Sequence, residues 1–167
     1  MENKRVWLGL GSNEGDRAKL LEQAIVLLAA RAGSITARSS IIETEPWGFD
    51  SPHPFLNMVV AVETALSPTR LLDVTQRIER QLGRKQKTIL AVVNKSTGQQ
   101  VNRYADRPID IDILLYANRL IHTSRLTVPH PLMLQREFVW RPLLEVAPDI
   151  LWPPTGQPLR DEITKNG

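Results

Sequence analysis

Residues 107–113 read Arg-Pro-Ile-Asp-Ile-Asp-Ile, a strict alternation of isoleucine and aspartate behind a proline. Successive side chains of a β-strand point to opposite faces of a sheet. The pattern therefore predicts a strand over residues 108–116, with its isoleucines in the core and with Asp110 and Asp112 together on the other face.

The two aspartates permit two interpretations. Like charges on one rigid strand repel each other unless a cation lies between them. Magnesium suits this position, because it prefers oxygen ligands and is often held by one or two carboxylates together with substrate phosphates. A solvated strand face is the alternative, and the spacing of the acids alone does not decide between them.

The segment before this strand is strongly basic. Residues 84–107 contain six basic residues and one acidic residue, a net charge of +5, whereas the whole chain carries +3. Arg84, Arg103 and Arg107 supply guanidinium groups. Enzymes that transfer polyphosphate groups commonly use guanidinium groups together with metal ions. No GxxxxGK[ST] loop is present, so a P-loop kinase is excluded.

Hydrophobic periodicity elsewhere predicts the rest of the fold. We expect helices after Asp16, which is a plausible N-cap, and after Ser67-Pro68, each stopped by a glycine, and a hairpin within the basic segment. The other expected elements are strands over 6–10, 34–44, 55–65, 89–93 and 125–128, a helix over 137–146 and a proline-rich tail. This βαββαβ order predicts a single α+β domain over residues 1–167. Its ferredoxin-like core has a mainly antiparallel sheet with helices packed on it and an added C-terminal segment of strand and helix.

Three further features of the sequence are ambiguous when taken alone. Residues 9–13, Gly-Leu-Gly-Ser-Asn, favour a tight turn over a phosphate cradle. His130 lies between two prolines, where its imidazole either donates to a phosphate or is satisfied by the backbone of its loop. Phe55 and Phe138 either pack in the core or hold a flat heterocycle, and Asn57, on the same strand face as Phe55, offers the donor and the acceptor that a pterin or nucleobase needs.

The amino-acid composition excludes several kinds of site. The 167 residues are 42% hydrophobic and include no cysteine, which excludes disulfides, thiolate metal sites and cysteine nucleophiles. No apolar run is long enough to span a bilayer, so we expect a cytoplasmic protein without membrane partners.

In six ordered segments the chain resembles the 6-hydroxymethyl-7,8-dihydropterin pyrophosphokinases of folate biosynthesis. These segments are residues 10–13, 43–48, 55–57, 76–79 with 83–84, 107–113 and 126–131. The resemblance implies that pyrophosphate passes from ATP to the hydroxymethyl group of 6-hydroxymethyl-7,8-dihydropterin, that AMP leaves, and that Asp110 and Asp112 hold two magnesium ions. It also implies that the basic loop over residues 84–107 is mobile and closes over the substrates.

The resemblance further assigns individual residues. Arg84, Arg107, Asp110 and Asp112 would be catalytic. The pterin would contact Thr44, Trp47, Phe55, Asn57, Asp110 and Phe138. ATP would contact Gln76, Glu79, Arg84, Tyr104, Arg107, Ile113, Arg125, Thr127, His130 and Arg136, with Glu79 on a ribose hydroxyl.

Two other functions fit part of the pattern. A ferredoxin-like sheet with a basic loop and aromatic residues is also typical of single-stranded RNA-binding modules, although Asp110 and Asp112 would repel phosphate there without a metal. Another metal-dependent phosphoryl transferase is the second alternative, and it would leave ADP instead of AMP. We expect a monomer that acts on small molecules and not on nucleic acid.

Overall fold

The computed structural model describes residues 2–45, 53–83, 89–93, 100–104 and 108–166. The strands and helices are β1 (Lys4–Ser12), α1 (Arg17–Arg31), β2 (Gly33–Arg38), β3 (Ile42–Thr44), β4 (Phe55–Thr64), α2 (Pro68–Gln81), β5 (Ile89–Val93), β6 (Gln100–Tyr104), β7 (Asp110–Tyr116), β8 (Ile121–His122), β9 (Thr127–Val128), a 3-10 helix (Met133–Gln135), α3 (Glu137–Val146), β10 (Leu151–Trp152), β11 (Gln157–Pro158) and α4 (Leu159–Asn166).

The main sheet has the strand order β2-β4-β1-β7, and β3 continues the line of β2 alongside β4. Every pairing within it is antiparallel. With β2 and β3 counted as one interrupted strand, this is the ferredoxin-like arrangement that the βαββαβ order predicts, so the predicted fold class is confirmed.

Helices α1 and α2 cover one face of this sheet. Both begin as the sequence predicts, because the Asp16 side chain accepts a hydrogen bond from the backbone N–H of Lys19, and the Ser67 hydroxyl does the same for Arg70 ahead of Pro68. The core beneath them is built from alternate residues of three strands and from one side of each helix. Its main members are Val6, Leu8, Leu10, Leu21, Ala24, Leu28, Met58, Val60, Val62, Leu71, Ile78, Ile109, Ile111 and Ile113.

The C-terminal segment covers part of the opposite face. A second apolar cluster there joins side chains of β1, β4 and β7 to the 3-10 helix, α3 and α4, and its buried members are Trp7, Val59, Ala61, Leu114, Leu115, Met133, Val139, Leu143 and Leu159. The proline-rich tail contains regular structure that was not predicted, because residues 151–158 form a small hairpin and α4 follows it. Leu159, fully buried, anchors this end of the chain to the sheet.

The strand predicted over residues 34–44 is divided in two. At the break, the Ser39 hydroxyl accepts a hydrogen bond from the backbone N–H of Val59 at 2.9 Å, so a side chain replaces one step of the ladder. Next to it, the N–H and hydroxyl of Ser40 both donate to the carboxylate of Glu145, at 2.9 and 2.7 Å. These bonds turn the chain away from β4 for a few residues and tie it to the end of α3.

Strand β7 contains a bulge. Leu8 pairs with Ile113 and Trp7 pairs with Leu115, so Leu114 is the extra residue. Leu114 and Leu115 consequently lie on one face, which the C-terminal segment partly covers and to which Asp110 and Asp112 also belong.

Other predicted elements are partly confirmed. Strands β5 and β6 form the expected antiparallel hairpin in the basic segment. The strand predicted over residues 125–128 is reduced to β9, which pairs with the unpredicted β8. Within the described ranges, no helix combines the length and the apolar character needed to cross a membrane.

Candidate active site

A cavity lies on the second face of the sheet, where the C-terminal segment leaves the strands uncovered. Its lining comes from strands β1, β4 and β7 and from the start of α3. The lining residues are Gly9, Leu10, Gly11, Phe55, Asn57, Val59, Asp110, Asp112, Leu114, Arg136, Phe138 and Val139. We call it the aromatic cavity.

The floor of the aromatic cavity is made by two glycines of β1. A Cβ atom at Gly11 would lie 2.8 Å from the Oδ1 of Asn57, and one at Gly9 would lie 3.4 Å from the Leu114 side chain. The expected tight turn is wrong here, because residues 9–12 continue the strand. At Gly11 this face of β1 has no room for a side chain, whereas a Cβ at Gly9 would only be in ordinary contact with Leu114.

Asp110 and Asp112 lie side by side above these glycines. Asp110 pairs with Gly11, and Asp112 pairs with Gly9. The intervening Ile111 is 1% exposed on the opposite face, so the predicted alternation is confirmed. Both acids line a concave, half-buried surface, which distinguishes them from the solvated strand face that the spacing also allowed.

Aromatic and amide groups occupy the other side of the cavity. Phe55 and Phe138, from β4 and α3, both line it, and the Asn57 Nδ2 donates to the hydroxyl of Thr44 at 2.7 Å. Four of the residues predicted to contact a pterin are thus within one neighbourhood, and Asp110 is the fifth. The guanidinium carbon of Arg136 lies 5.7 Å from the centre of the Phe138 ring, so Arg136 belongs to this cavity and is not in the lining of the one described next.

A second cavity lies beside the first, between α2, β7 and the loop from β8 to the 3-10 helix. We call it the polar cavity. Its lining contains five of the residues predicted to contact ATP, together with Thr123 and Ser124, which were not predicted. The lining residues are Leu72, Gln76, Ile111, Asp112, Ile113, Thr123, Ser124, Arg125, Leu126, Thr127, His130 and Pro131.

Thr123 and Ser124 had a recognisable signal in the sequence. They precede Arg125 in a polar turn, and the Thr123 side chain exchanges two hydrogen bonds with the backbone of Leu126, each 3.1 Å long. A short loop closed in this way presents its hydroxyl and its guanidinium at fixed positions.

Two side chains of the polar cavity, Arg125 and His130, have informative contacts. Arg125 donates to Asp73 at 2.7 Å, and this hydrogen bond holds the pKa of the exposed Asp73 carboxyl below its usual value. The His130 Nδ1 accepts a hydrogen bond from the backbone N–H of Leu132 at 3.2 Å. In a neutral imidazole the proton is then on Nε2, so His130 has both the backbone partner and the donor that the sequence offered as alternatives.

Glu79 differs from its expected position. Its side chain is 2% exposed, and its Oε2 accepts a hydrogen bond from the backbone N–H of Ile111 at 2.9 Å. Among the described residues that line the two cavities, its neighbour Gln76 is present and Glu79 is not.

Four predicted site residues cannot be placed. Trp47, Arg84 and Arg107 lie outside the described residues, as does most of the predicted basic loop. Tyr104 belongs to β6, where the backbone alone is described.

The metal-binding potential of the site comes from two carboxylates. Among the residues that the structure covers, no group of three or more histidine, aspartate or glutamate side chains is arranged to hold a metal ion. Magnesium is commonly held by one or two carboxylates while phosphate oxygens and waters complete its octahedron. The Asp110 and Asp112 pair fits a magnesium ion that arrives with a polyphosphate, and not a permanent site built from protein alone.

Comparison with known proteins identifies the family of the chain. Residues 7–148 match the family model described as 7,8-dihydro-6-hydroxymethylpterin-pyrophosphokinase (HPPK). The chain is 50% identical over 144 residues to the 2-amino-4-hydroxy-6-hydroxymethyldihydropteridine pyrophosphokinase of Porphyromonas gingivalis, covering 86% of this chain and 90% of that protein. It is 40% identical over 149 residues to the enzyme of the same name from Bacillus subtilis, covering 89% and 81%.

Among solved structures, the fold is similar to that of an HPPK-DHPS triple mutant from Plasmodium falciparum. The TM-score is 0.72 at 16% sequence identity, and the match covers 99% of this chain. At this identity the similarity concerns the fold alone, and the chain spans 44% of the length of that larger protein. The family model and the two bacterial relatives cover most of the sequence, and the chain therefore belongs to the 7,8-dihydro-6-hydroxymethylpterin-pyrophosphokinase family of enzymes.

Proposed function

We propose that this enzyme transfers pyrophosphate from ATP to the hydroxymethyl group of 6-hydroxymethyl-7,8-dihydropterin, releasing AMP, as a step of folate biosynthesis. The observation that carries the proposal is the position of Asp112, which lines both the aromatic and the polar cavity. Substrates in the two cavities would meet at this carboxylate. Family membership supports the choice of substrates.

The aromatic cavity is the proposed pterin site. Phe55 and Phe138 offer faces for a flat heterocycle, and the Asn57 amide, fixed by Thr44, offers polar contacts to its edge. The cavity encloses about 50 Å³, which is much less than a bicyclic ligand requires. We therefore expect Phe138 and the Arg136 side chain on it to move outward when the pterin binds. Trp47 is kept as a proposed pterin contact from the sequence.

The polar cavity is the proposed ATP site and encloses about 350 Å³. Gln76, Ile113 and Thr127 would contact the nucleoside end, whereas Arg125 and His130 have the donors that phosphates need. Arg84, Tyr104 and Arg107 are kept as further proposed ATP contacts from the sequence. Their positive and polar side chains would close the site over the triphosphate.

Asp110 and Asp112 would hold the magnesium ions, two in our proposal, that enter with ATP. Bound there, magnesium neutralises charge on the phosphates and helps to fix their positions. The carboxylates are suited to this role because β7 holds them on one face at the boundary of the two cavities.

The reaction consists of one displacement at phosphorus. The pterin hydroxyl oxygen bonds to the β-phosphorus of ATP as the bond from that phosphorus to the α–β bridging oxygen breaks, so AMP leaves with the bridging oxygen and the hydroxyl proton is released. Protein groups contribute by alignment and by charge. Phe55 and Asn57 orient the acceptor, and Arg125 and His130 would bind phosphate oxygens.

The direct test is product analysis. The purified protein is incubated with ATP, magnesium and 6-hydroxymethyl-7,8-dihydropterin, and nucleotides are separated by chromatography. AMP and a pterin diphosphate in equal amounts are expected, and Asp110→Asn and Asp112→Asn should each lower kcat by at least about a hundredfold. Asp161→Asn, an exposed acid on α4, is the matched control and should remain fully active.

Other outcomes have clear meanings. ADP in place of AMP would assign a phosphoryl transferase instead. A wild-type protein that consumes no ATP would contradict the proposal, and full activity of both aspartate variants would remove the metal assignment. We further propose a single domain over residues 1–167 that acts as a monomer in the cytoplasm, which equilibrium sedimentation of the purified chain tests in part.

A further inference from the structure

The buried carboxylate of Glu79 lies at the outer edge of the strand that carries the catalytic acids. Among the described strands, β7 is hydrogen-bonded to β1 in the main sheet and ends the sheet on its other side. The outward N–H of Ile111 is bonded to the Glu79 Oε2 at 2.9 Å. The carboxylate therefore takes the place that the carbonyl of a further strand would occupy.

The bonded residue is the one between Asp110 and Asp112. Its N–H is fixed from outside by Glu79, and on the inner side Ile111 pairs with Leu10 of β1. The short backbone segment bearing both acids is thus held from two directions. Displacement of Ile111 along either direction would move both carboxylates together.

The bond from Glu79 to Ile111 is of a kind that suits the positioning of a backbone segment. Glu79 is 2% exposed and lies on the buried face of α2 with Leu72, Thr75 and Ile78. Burying a carboxylate is costly, and a hydrogen bond to a backbone N–H contributes only modestly to net stability. A charge-assisted bond is, however, short and directional, which suits the positioning of a backbone segment.

We propose that Glu79 is a positioning residue, which fixes the backbone between Asp110 and Asp112 and so sets the geometry of the magnesium-binding pair. This role replaces the ribose contact that the sequence suggested for Glu79. Its kinetic consequences rest on the proposed function, whereas its structural consequence at Ile111 does not.

The structural consequence is measured first, by amide hydrogen exchange of the ¹⁵N-labelled protein followed by NMR. We expect the Ile111 N–H of the wild-type protein to be protected, and to exchange at least about tenfold faster in Glu79→Met, which keeps the side-chain volume but has no acceptor. Glu79→Gln keeps an acceptor oxygen, so its Ile111 N–H should exchange at a rate closer to that of the wild type. An Ile111 N–H that exchanges freely in the wild-type protein would overturn the proposal without any variant.

The functional consequence is then measured by steady-state kinetics with varied magnesium. Glu79→Met should lower kcat by about tenfold to a hundredfold and raise the magnesium concentration for half-maximal rate, because small displacements of catalytic groups have effects of this size. Binding of magnesium with a non-hydrolysable ATP analogue, followed by calorimetry, should weaken in parallel. Glu79→Gln should retain most of the activity.

Two controls separate positioning from other roles. Thr75→Val removes a buried hydroxyl one turn earlier on α2, where it donates to the Leu72 carbonyl at 2.9 Å, and should lower stability without changing kcat or Ile111 exchange. Replacing ATP by 2′,3′-dideoxy-ATP should lower kcat/KM by the same factor in the wild type and in Glu79→Met. If the replacement lowers kcat/KM in the wild type but not in the variant, Glu79 contacts the ribose and the proposal is overturned.

The two levels of failure are distinguishable. An inactive wild-type protein whose Ile111 N–H is protected through Glu79 contradicts the proposed function and leaves the positioning intact. An active wild-type protein whose Glu79→Met variant keeps its kcat and its magnesium dependence contradicts the positioning.

Discussion

Gly11 of β1 is paired with Asn57 of β4, and a Cβ atom at position 11 would lie 2.8 Å from the Oδ1 of that amide. The same glycine is paired with Asp110 on its other side. The absence of a side chain at Gly11 therefore leaves room for the two polar groups proposed to contact the pterin.

Replacing Gly11 by alanine should weaken pterin binding. The added methyl group must displace the Asn57 amide, and overpacking of this kind typically costs about 1–3 kcal/mol, or about a fivefold or greater rise in the pterin Kd. Calorimetric titration with the pterin measures it. Gly9→Ala is the graded control, because its Cβ would meet only the flexible Leu114 side chain at 3.4 Å and should have a smaller effect. Equal effects of the two variants would contradict this explanation.

Removal of the Thr44 hydroxyl should affect pterin binding more than turnover. The Asn57 Nδ2 donates to that hydroxyl at 2.7 Å, and Thr44→Val leaves the amide without this acceptor and free to rotate. The loss of about 1 kcal/mol corresponds to about a fivefold rise in KM for the pterin with kcat little changed. Thr44→Ser keeps the hydroxyl and should behave as the wild type, and a serine variant as weak as the valine variant would show that the methyl group matters instead.

The Asp73 side chain should compete with nucleotide for Arg125. Arg125 lines the polar cavity and is held by Asp73 at 2.7 Å. Asp73→Asn removes the charge that holds the guanidinium, so ATP should bind more tightly, by about twofold to fivefold given the weakness of exposed ion pairs. Fluorescence titration with a labelled ATP analogue measures this. Asp149→Asn, at another exposed ion pair, is the control, and weaker ATP binding by Asp73→Asn would mean that Asp73 orients Arg125 productively.

The Glu145 carboxylate should make a pH-dependent contribution to stability. Its pKa is held below the usual value by the hydroxyl and N–H of Ser40. A carboxyl with a lowered pKa in the folded state stabilises that state above its unfolded pKa, and this contribution is lost as pH falls through the folded pKa. The wild type should therefore exceed Glu145→Gln in Tm at pH 7, and the two values should converge under strongly acidic conditions. A difference in Tm that is independent of pH would exclude this role of the charge.

The arrangement of the aspartates was predictable because the isoleucine and aspartate alternation has a strict period of two residues. A two-residue period is enough to assign each residue of a strand to one face of the sheet. The buried side chains of Ile109, Ile111 and Ile113 agree with that rule. Glycines carry no such information, since they have no side chain to assign to a face. The role of Gly9 and Gly11 as a cavity floor therefore depended on the neighbouring strand, which contributes Asn57 at a separation of 46 residues from Gly11.

Two other differences have physical causes in the sequence itself. In the tail, prolines at 148, 153, 154 and 158 argue against regular structure, so the helical spacing of the residues after them was not recognised. Pro158 is compatible with a helix because it lies at the end of β11, immediately before α4, where a proline is tolerated. Glu79 follows Leu72 and Thr75 at helical spacing, which indicates a buried position. Glutamate side chains are mostly exposed in proteins, which argued against a buried Glu79. The contact with Ile111 in the structure shows that Glu79 is buried against β7.

The extra residue at Leu114 lies between two parts of β7. Before it, Asp110 and Asp112 face the aromatic cavity. After it, the in-and-out order is reversed, so that Leu115 packs under the C-terminal helices and Tyr116 reaches the other layer, where its hydroxyl donates to the carbonyl of Leu66. Deleting Leu114 would leave Ile113 opposite Leu8 and Leu115 opposite Trp7 in a regular ladder, so the aspartates and Tyr116 would keep their faces. What the bulge adds is a second leucine on the face of the aspartates, and that leucine forms the wall of the aromatic cavity beside Gly9.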